Sequence, residues 1–352
     1  MNDEYLRLYA EIQERMKRGG DLSPGPGDTL AAFGRNADWD RARMAVQGEI
    51  VERFKADNAH KPQGGRAVLM TAGAPGAGKG FTQGQLAGWQ REDSDLGRQL
   101  AAVHGLDLDD YVVLNPDDFK ERLFEVGGAP RLAPEAMALS DGRELTPAEL
   151  SGLLHREALD LRTQCEEWAR ERGYNLLYDA TLANHKEAAG LLHGLSEQKY
   201  GQRVILSVEV TREQSLAQNM DRWYQGRLKF ERGDDPYGGR MSPDQMIKAL
   251  YDKNTTGSGR SIGRENAEKL AEAGLATGLI TTDRGTFPQT AATAAQGRTQ
   301  SPAFQREDTR IGIAAAGRMR SPRAGTAPTT PPAQGPAPQV PRQTPPAPGR
   351  TR

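Results

Sequence analysis

A single cysteine, Cys165, stands in 352 residues. It has no disulfide partner within the chain and excludes a zinc site built on cysteines. It lies four residues after Leu161 and three before Trp168 on an expected helix, which predicts a buried, inert thiol. No apolar run approaches the roughly 18 residues needed to cross a bilayer, so no membrane span is expected. The opening Met1-Asn2-Asp3-Glu4 lacks a basic stretch followed by an apolar one, so no secretory signal is read and a cytoplasmic protein is expected. Charge of one sign is missing too: 46 Lys and Arg stand against 47 Asp and Glu, for a net charge of −1. There is no internal repeat.

That near-neutrality hides an asymmetry. Residues 286–352 hold 12 of the 22 prolines, nine arginines, two acids and no Lys, Trp, Tyr or Cys. The segment therefore carries +7, which leaves −8 on residues 1–285. A stretch so poor in core-forming side chains predicts a disordered Pro/Ala/Thr/Arg-rich tail, with extended segments at Pro331-Pro332 and Pro345-Pro346. The acidic body argues against nucleic acid as a partner.

Within the body, Tyr5, Tyr9, Ile12 and Met16 recur at helical spacing and predict a helix over residues 3–18. Trp39, Ala42, Val46, Ile50 and Phe54 predict another over about 39–59. Residues 1–60 thus read as helices packing on a core formed by residues 61–285. There, five short apolar strands are expected at 66–71, 111–114, 174–178, 203–210 and 277–282, with helices between them. This predicts an α/β fold: a P-loop kinase-type three-layer sandwich with a mostly parallel five-stranded sheet. Ligands of such sheets bind beyond the carboxyl ends of the strands. Those ends carry residues 73–78, 115–118 and 179–181.

The first of them is the strongest motif. Gly73-Ala-Pro-Gly-Ala-Gly-Lys79-Gly80 has the G-x-x-x-x-G-K spacing of a P-loop. Its glycines let backbone N–H groups turn toward phosphate oxygens, the next helix presents its positive end, and Lys79 reaches the outer phosphates. ATP is the expected cosubstrate, cradled by Gly73, Ala74, Pro75, Gly76, Ala77, Gly78, Lys79, Gly80, Phe81 and Thr82. The hydroxyl residue that usually follows the lysine to hold Mg²⁺ is replaced by Gly80. Thr82 and the strand-end Asp179 are the alternative magnesium-shell candidates. The loop itself is similar to that of adenylate kinases, but the Asp-Gly-Phe-Pro-Arg segment of those enzymes is absent. Absent as well are Asn-Lys-x-Asp of GTPases, Leu-Ser-Gly-Gly-Gln of transport ATPases and the Asp-Glu pair of mechanical ATPases. A small-molecule kinase remains.

Such a kinase needs a group to orient the acceptor hydroxyl. Asp117 and Asp118 end the second strand, and adjacent side chains diverge, so one of them faces the site; the competing role is to cap a short helix over 119–124. Arg222, Arg227, Arg232 and Arg240, set among glycines in residues 222–240, read as a basic flexible lid that could stabilise the transferring phosphoryl group. Residues two apart on a helix do not share a face, so if Glu157 points inward His155 does not, and no catalytic role is read for His155.

These segments together resemble the zeta-toxin family of P-loop kinases over about residues 45–283. The resemblance rests on Gly73–Gly80, Tyr111-Val-Val-Leu-Asn-Pro-Asp-Asp-Phe-Lys120, Leu154-His-Arg-Glu-Ala158, Asn175-Leu-Leu-Tyr-Asp-Ala-Thr181 and Gly239-Arg-Met-Ser-Pro243. It implies ATP-dependent phosphorylation of a sugar hydroxyl on UDP-N-acetylglucosamine, toxicity through cell-wall precursor synthesis, and an antitoxin protein as partner. It implies catalytic roles for Asp117, Lys79, Arg240 and Arg222, with Arg227 as a rival for the last, and substrate contacts by Asp117, Glu157 and Thr181. Ala183 stands where the family often has Arg, which leaves NAD or another nucleotide-linked acceptor open. Gly80 and Ala183 also motivate an inactive nucleotide-binding regulator.

Overall fold

The strands fall where short apolar runs meet a sheet buried on both faces. In this computed structural model the described residues are 1–35, 38–103, 105, 107–128, 130, 132–287, 303–306 and 309–315. They belong to one compact unit, Met1–Gly317. The main sheet holds β1 Ala67–Ala72, β2 Tyr111–Leu114, β3 Asn175–Tyr178, β4 Gln202–Glu209, β5 Gly278–Asp283, β6 Phe304–Arg306 and β7 Thr309–Ala315. Their order across the sheet is β2-β3-β1-β4-β5-β7-β6. The first five run parallel. β7 joins β5 antiparallel, and β6 joins β7 antiparallel.

Every residue of β1 is buried. Its side chains alternate between two cores, as the period of a strand requires. Val68, Met70 and Ala72 pack with Ile50, Phe54, Leu161, Leu192 and Leu270. Ala67 and Leu69 face Leu86, Trp89, Leu96 and Leu100. The helices bearing those residues cover the two faces and complete three layers. On the first face are α2 Arg41–Asn58, α5 Pro116–Glu125, α6 His155–Glu171, α7 His185–Glu197 and α10 Ile262–Glu272. On the second are α3 Lys79–Gln90 and α4 Asp95–Val103. Cys165 is fully buried among the first set, and burial pushes its thiol up to about 12. A third cluster joins α1 Asp3–Arg15 to α8 Arg212–Glu231 and the Pro147–Leu154 turn through Tyr9, Ile12, Leu150 and Trp223. A further helix, α9, spans Asp244–Asp252. No helix among the described residues is long and apolar enough to cross a membrane.

Three expectations are corrected. The sheet has seven strands, not five. The two added strands come from inside residues 286–352, which composition assigned wholly to a disordered tail. Ile311 and Ile313 alternate along β7 and are buried beside Ile280 and Leu206. That short alternation is diluted by the prolines and arginines around it. The rest of the tail expectation lies outside the described residues. The basic segment 222–240 is not a loop throughout, because Arg222 and Arg227 sit on α8, opened by the Thr211 capping box. Between residues 89 and 111, where no helix was expected, α4 buries Leu96 and Leu100.

Candidate functional site

The two neighbours of β1 lie on opposite sides of it, and their connections diverge at its carboxyl end. That is where open α/β sheets leave a crevice. The loop entering α3 fills its floor. Gly73, Gly76 and Gly78 all take positive φ there (136°, 81° and 83°), a region open to glycine at no steric cost. At Gly76 a side chain would also meet the Ser215 carbonyl oxygen at 2.6 Å. Ser215, on α8, braces the loop by donating its hydroxyl to the Pro75 carbonyl at 2.7 Å. No side chain caps α3, so its first N–H groups stay open to an anion. Lys79 Nζ donates to the Gly73 carbonyl at 3.3 Å and stands 3.8 Å from Asp179 Oδ1.

Asp117 faces the loop from the first turn of α5. Asn115 caps that helix, accepting from the Asp117 N–H at 3.1 Å. The capping role considered for the two aspartates therefore belongs to Asn115. Lys120 Nζ donates to Asp117 Oδ1 at 2.8 Å, and Arg240 Nη1 is 3.6 Å from Oδ2. Desolvation opposes ionisation of Asp117, but Lys120, Arg240 and Arg222 outweigh it and hold the carboxyl below its usual range. Asp118 diverges, as adjacent side chains must. It accepts from Asn115 Nδ2 at 2.8 Å and lines a separate hollow with Phe54 and Lys61. Burial pushes it up to about 6, opposed by Arg240 and reinforced by Glu121 and Asp117.

These groups open into a cleft of about 720 Å³ that Lys79, Asp117, Asp179, Thr181, Arg222 and Arg240 all line. Arg240 is held by Glu121, and its carbonyl accepts from Arg222 Nε at 3.2 Å. Arg227, the rival of Arg222, is 2% exposed and bonded to buried Glu149 instead. Arg232 is exposed and pairs with Asp234 at 2.9 Å.

Of the residues expected to contact substrate or metal, Glu157 and Thr82 do not line the cleft; of the expected ATP cradle, Gly73, Ala74, Ala77 and Phe81 do not line it either. Glu157 is fully buried: Arg43 Nε and Nη2 clamp its two oxygens at 2.6 Å each, and Gln47 donates at 2.9 Å. His155 lines the cleft in its place. Burial, with Lys120 and Arg162, pushes that imidazole below its ordinary value, so it is neutral at pH 7. Thr82 is 1% exposed, donates its hydroxyl back to the Gly78 carbonyl at 3.0 Å and does not line the cleft that Asp179 lines. Among the described residues no group of three or more His, Cys, Asp or Glu could hold a metal ion. Asp179 remains in place. Thr71, which sequence reasoning missed, donates to Asp179 Oδ1 at 2.9 Å and accepts from the Ala180 N–H at 2.9 Å. Its only sequence signal was its place near the end of β1.

A family model described as zeta toxin matches residues 52–256. Similar solved structures are of low identity. One is of AvrRxo1-ORF1:AvrRxo1-ORF2 with sulphate ions, at 14% identity over 78% of this chain and 77% of that one, TM-score 0.44. Another, of AvrRxo1-ORF1:-ORF2 with ATP, shares 12% identity over 74% and 73%, TM-score 0.43. A third comes from the PezAT chromosomal toxin-antitoxin system of Streptococcus pneumoniae, at 14% identity over 70% and 79%, TM-score 0.40. No curated protein sequence matches. The zeta toxin match spans more than half of the chain and includes the P-loop, Asp117, Asp179 and both cleft arginines. The chain therefore belongs to the zeta toxin family and is a phosphotransferase.

Proposed function

We propose that the chain transfers the γ-phosphoryl group of ATP to a sugar hydroxyl of UDP-N-acetylglucosamine, and so acts as a toxin restrained by an antitoxin protein. The observation that carries this reading is the convergence of Lys79, Asp117, Arg222 and Arg240 on one cleft beside the P-loop. Phosphoryl transfer needs positioning and charge stabilisation more than covalent chemistry. The loop amides and Lys79 hold the triphosphate. Asp117, ionised and fixed by Lys120, orients the acceptor hydroxyl. The acceptor oxygen bonds to the γ-phosphorus as the bond to ADP breaks, and the hydroxyl proton passes to Asp117. Arg222 and Arg240 stabilise charge on the moving group. Mg²⁺ would be held by the phosphates, water and Asp179, and would neutralise phosphate charge.

Glu157 favours a second reading. The resemblance gives that position a substrate contact, yet here its carboxylate is consumed by Arg43 and Gln47. With Ala183, this supports NAD or another nucleotide-linked acceptor. The test is phosphate transfer from ATP·Mg²⁺ to UDP-sugars, NAD and nucleoside monophosphates, read by mass spectrometry. Phosphorylated UDP-N-acetylglucosamine is expected. Product from NAD alone replaces the acceptor and keeps the mechanism. No product with ATP bound favours the regulator.

Gly80 offers a separate check. A Cβ there meets nothing within 4 Å. Gly80→Thr should therefore restore a hydroxyl beside Lys79 without strain, and the Mg²⁺ concentration giving half-maximal turnover should fall severalfold. An unchanged magnesium dependence would mean that the phosphates, water and Asp179 already satisfy the metal and that the missing hydroxyl does not limit its binding.

A further inference from the structure

Residues 1–51 precede the segment matched by the family model, yet part of them belongs to the cleft. Met16, Leu22, Ser23 and Pro24 line it. The preceding helix, α1, grips the chain just after Arg240. Gln13 Nε2 donates to the Ser242 carbonyl at 3.0 Å, and Gln13 Oε1 accepts from the Asp244 N–H at 2.8 Å. The Tyr9 hydroxyl donates to Asp244 Oδ1 at 2.7 Å and accepts from Asn219 Nδ2 at 3.1 Å. Asn219 then closes on Ser242 twice, donating to its carbonyl at 3.0 Å and accepting from its N–H at 2.9 Å. Residues 242–244 are thus held between α1 and α8 by paired backbone bonds.

We propose that Gln13 and Tyr9 are positioning residues for phosphoryl transfer, fixing the Met241–Asp244 backbone so that Arg240 stays over Asp117. This rests on the kinase reading above and adds to it a part that the family segment does not contain. A guanidinium on a freed loop would spread over Glu121, Asp118 and solvent. Arg240 already lies 4.0 Å from Asp118 and 3.6 Å from Asp117, so a small displacement changes its partner. α1 would then be a fixed part of the site and not an inert extension.

The test is a double-mutant cycle in the full chain with Gln13→Ala, Arg240→Ala and both together. The readouts are ADP release from ATP·Mg²⁺ with UDP-N-acetylglucosamine, NAD or water as acceptor, the dissociation constant for ATP, and the thermal midpoint. Arg240→Ala should lower kcat by about 10³-fold or more. Gln13→Ala should lower kcat by about ten- to a hundredfold, the scale of a small misplacement, with ATP affinity unchanged. On the Arg240→Ala background it should lower kcat no further, because the two residues act as a unit. Tyr9→Phe, which keeps the ring packed 5.3 Å from Trp223, should give a smaller loss of the same kind and serves if Gln13→Ala does not fold. An equal loss in both backgrounds, or none in either, overturns the proposal. If Arg240→Ala leaves kcat unchanged, this inference falls while the kinase reading stands; if the unaltered chain releases no ADP with any of these acceptors, the kinase reading fails and takes this inference with it.

Discussion

Asp117→Asn should reduce kcat by about 10²–10⁴-fold, the usual contribution of a positioned acid or base, while ATP binding changes little. The carboxylate is held by Lys120 at 2.8 Å and lies 3.6 Å from Arg240. An amide keeps the shape but loses the charge that orients the acceptor and receives its proton. Triphosphate binding depends on the P-loop and Lys79 and should survive. The pH profile adds a sign. Because the carboxyl is held below its usual range of about 3.9, Asp117 is ionised throughout pH 5–8. Its active form is lost only as pH falls below that range, so its own titration should leave no inflection between pH 5 and 8. Single-turnover kinetics with ATP binding measured in parallel would check this. Loss of ATP affinity equal to the loss of rate would place Asp117 in nucleotide binding instead.

Glu149→Gln should destabilise the fold by about 3–5 kcal/mol, the scale for breaking a buried ion pair. Glu149 is fully buried and Arg227 is 2% exposed. One carboxylate takes Arg227 at 2.8 and 2.7 Å, Trp223 Nε1 at 2.7 Å and the Thr146 N–H at 2.7 Å. Removing its charge leaves buried Arg227 with only the partly exposed Glu231, 3.1 Å from its Nε, as counter-ion, while the pair itself need contribute little net stability. Replacing both, Glu149→Leu with Arg227→Met, should therefore recover part of the loss, limited by about 1–3 kcal/mol for each donor left unpaired, Trp223 Nε1 and the Thr146 N–H. Urea midpoints of the three variants decide it. A double variant no more stable than Glu149→Gln would mean that the ion pair was not the cause.

Much of the architecture was legible beforehand because its signals are local. Buried parallel strands read as continuous apolar runs, and the P-loop must be contiguous, since backbone amides and lysine surround one anion. β7 was missed because two alternating isoleucines cannot outweigh the composition of 67 residues. The arginines were half legible. Arg222 and Arg227 differ by five positions on one helix, and only packing shows that the first meets the cleft and the second meets Glu149.

The helical rule that separates His155 from Glu157 marks the boundary most clearly. Sequence alone determined that the two do not share a face, because residues two apart on a helix face different ways, and it assigned the inward place to Glu157. It also determined the phosphate loop, the order of the strands in the chain and the buried thiol. Which of the two faces the cleft depended on Arg43 and Gln47, more than 100 residues earlier, whose buried bonds draw Glu157 away. The attachment of α1 to the Arg240 segment is of the same kind, since its bonds span more than 200 residues. Local periodicity and contiguous motifs are written along the chain. A buried charge is satisfied by whichever partner the fold brings to it, and only the tertiary structure decided that.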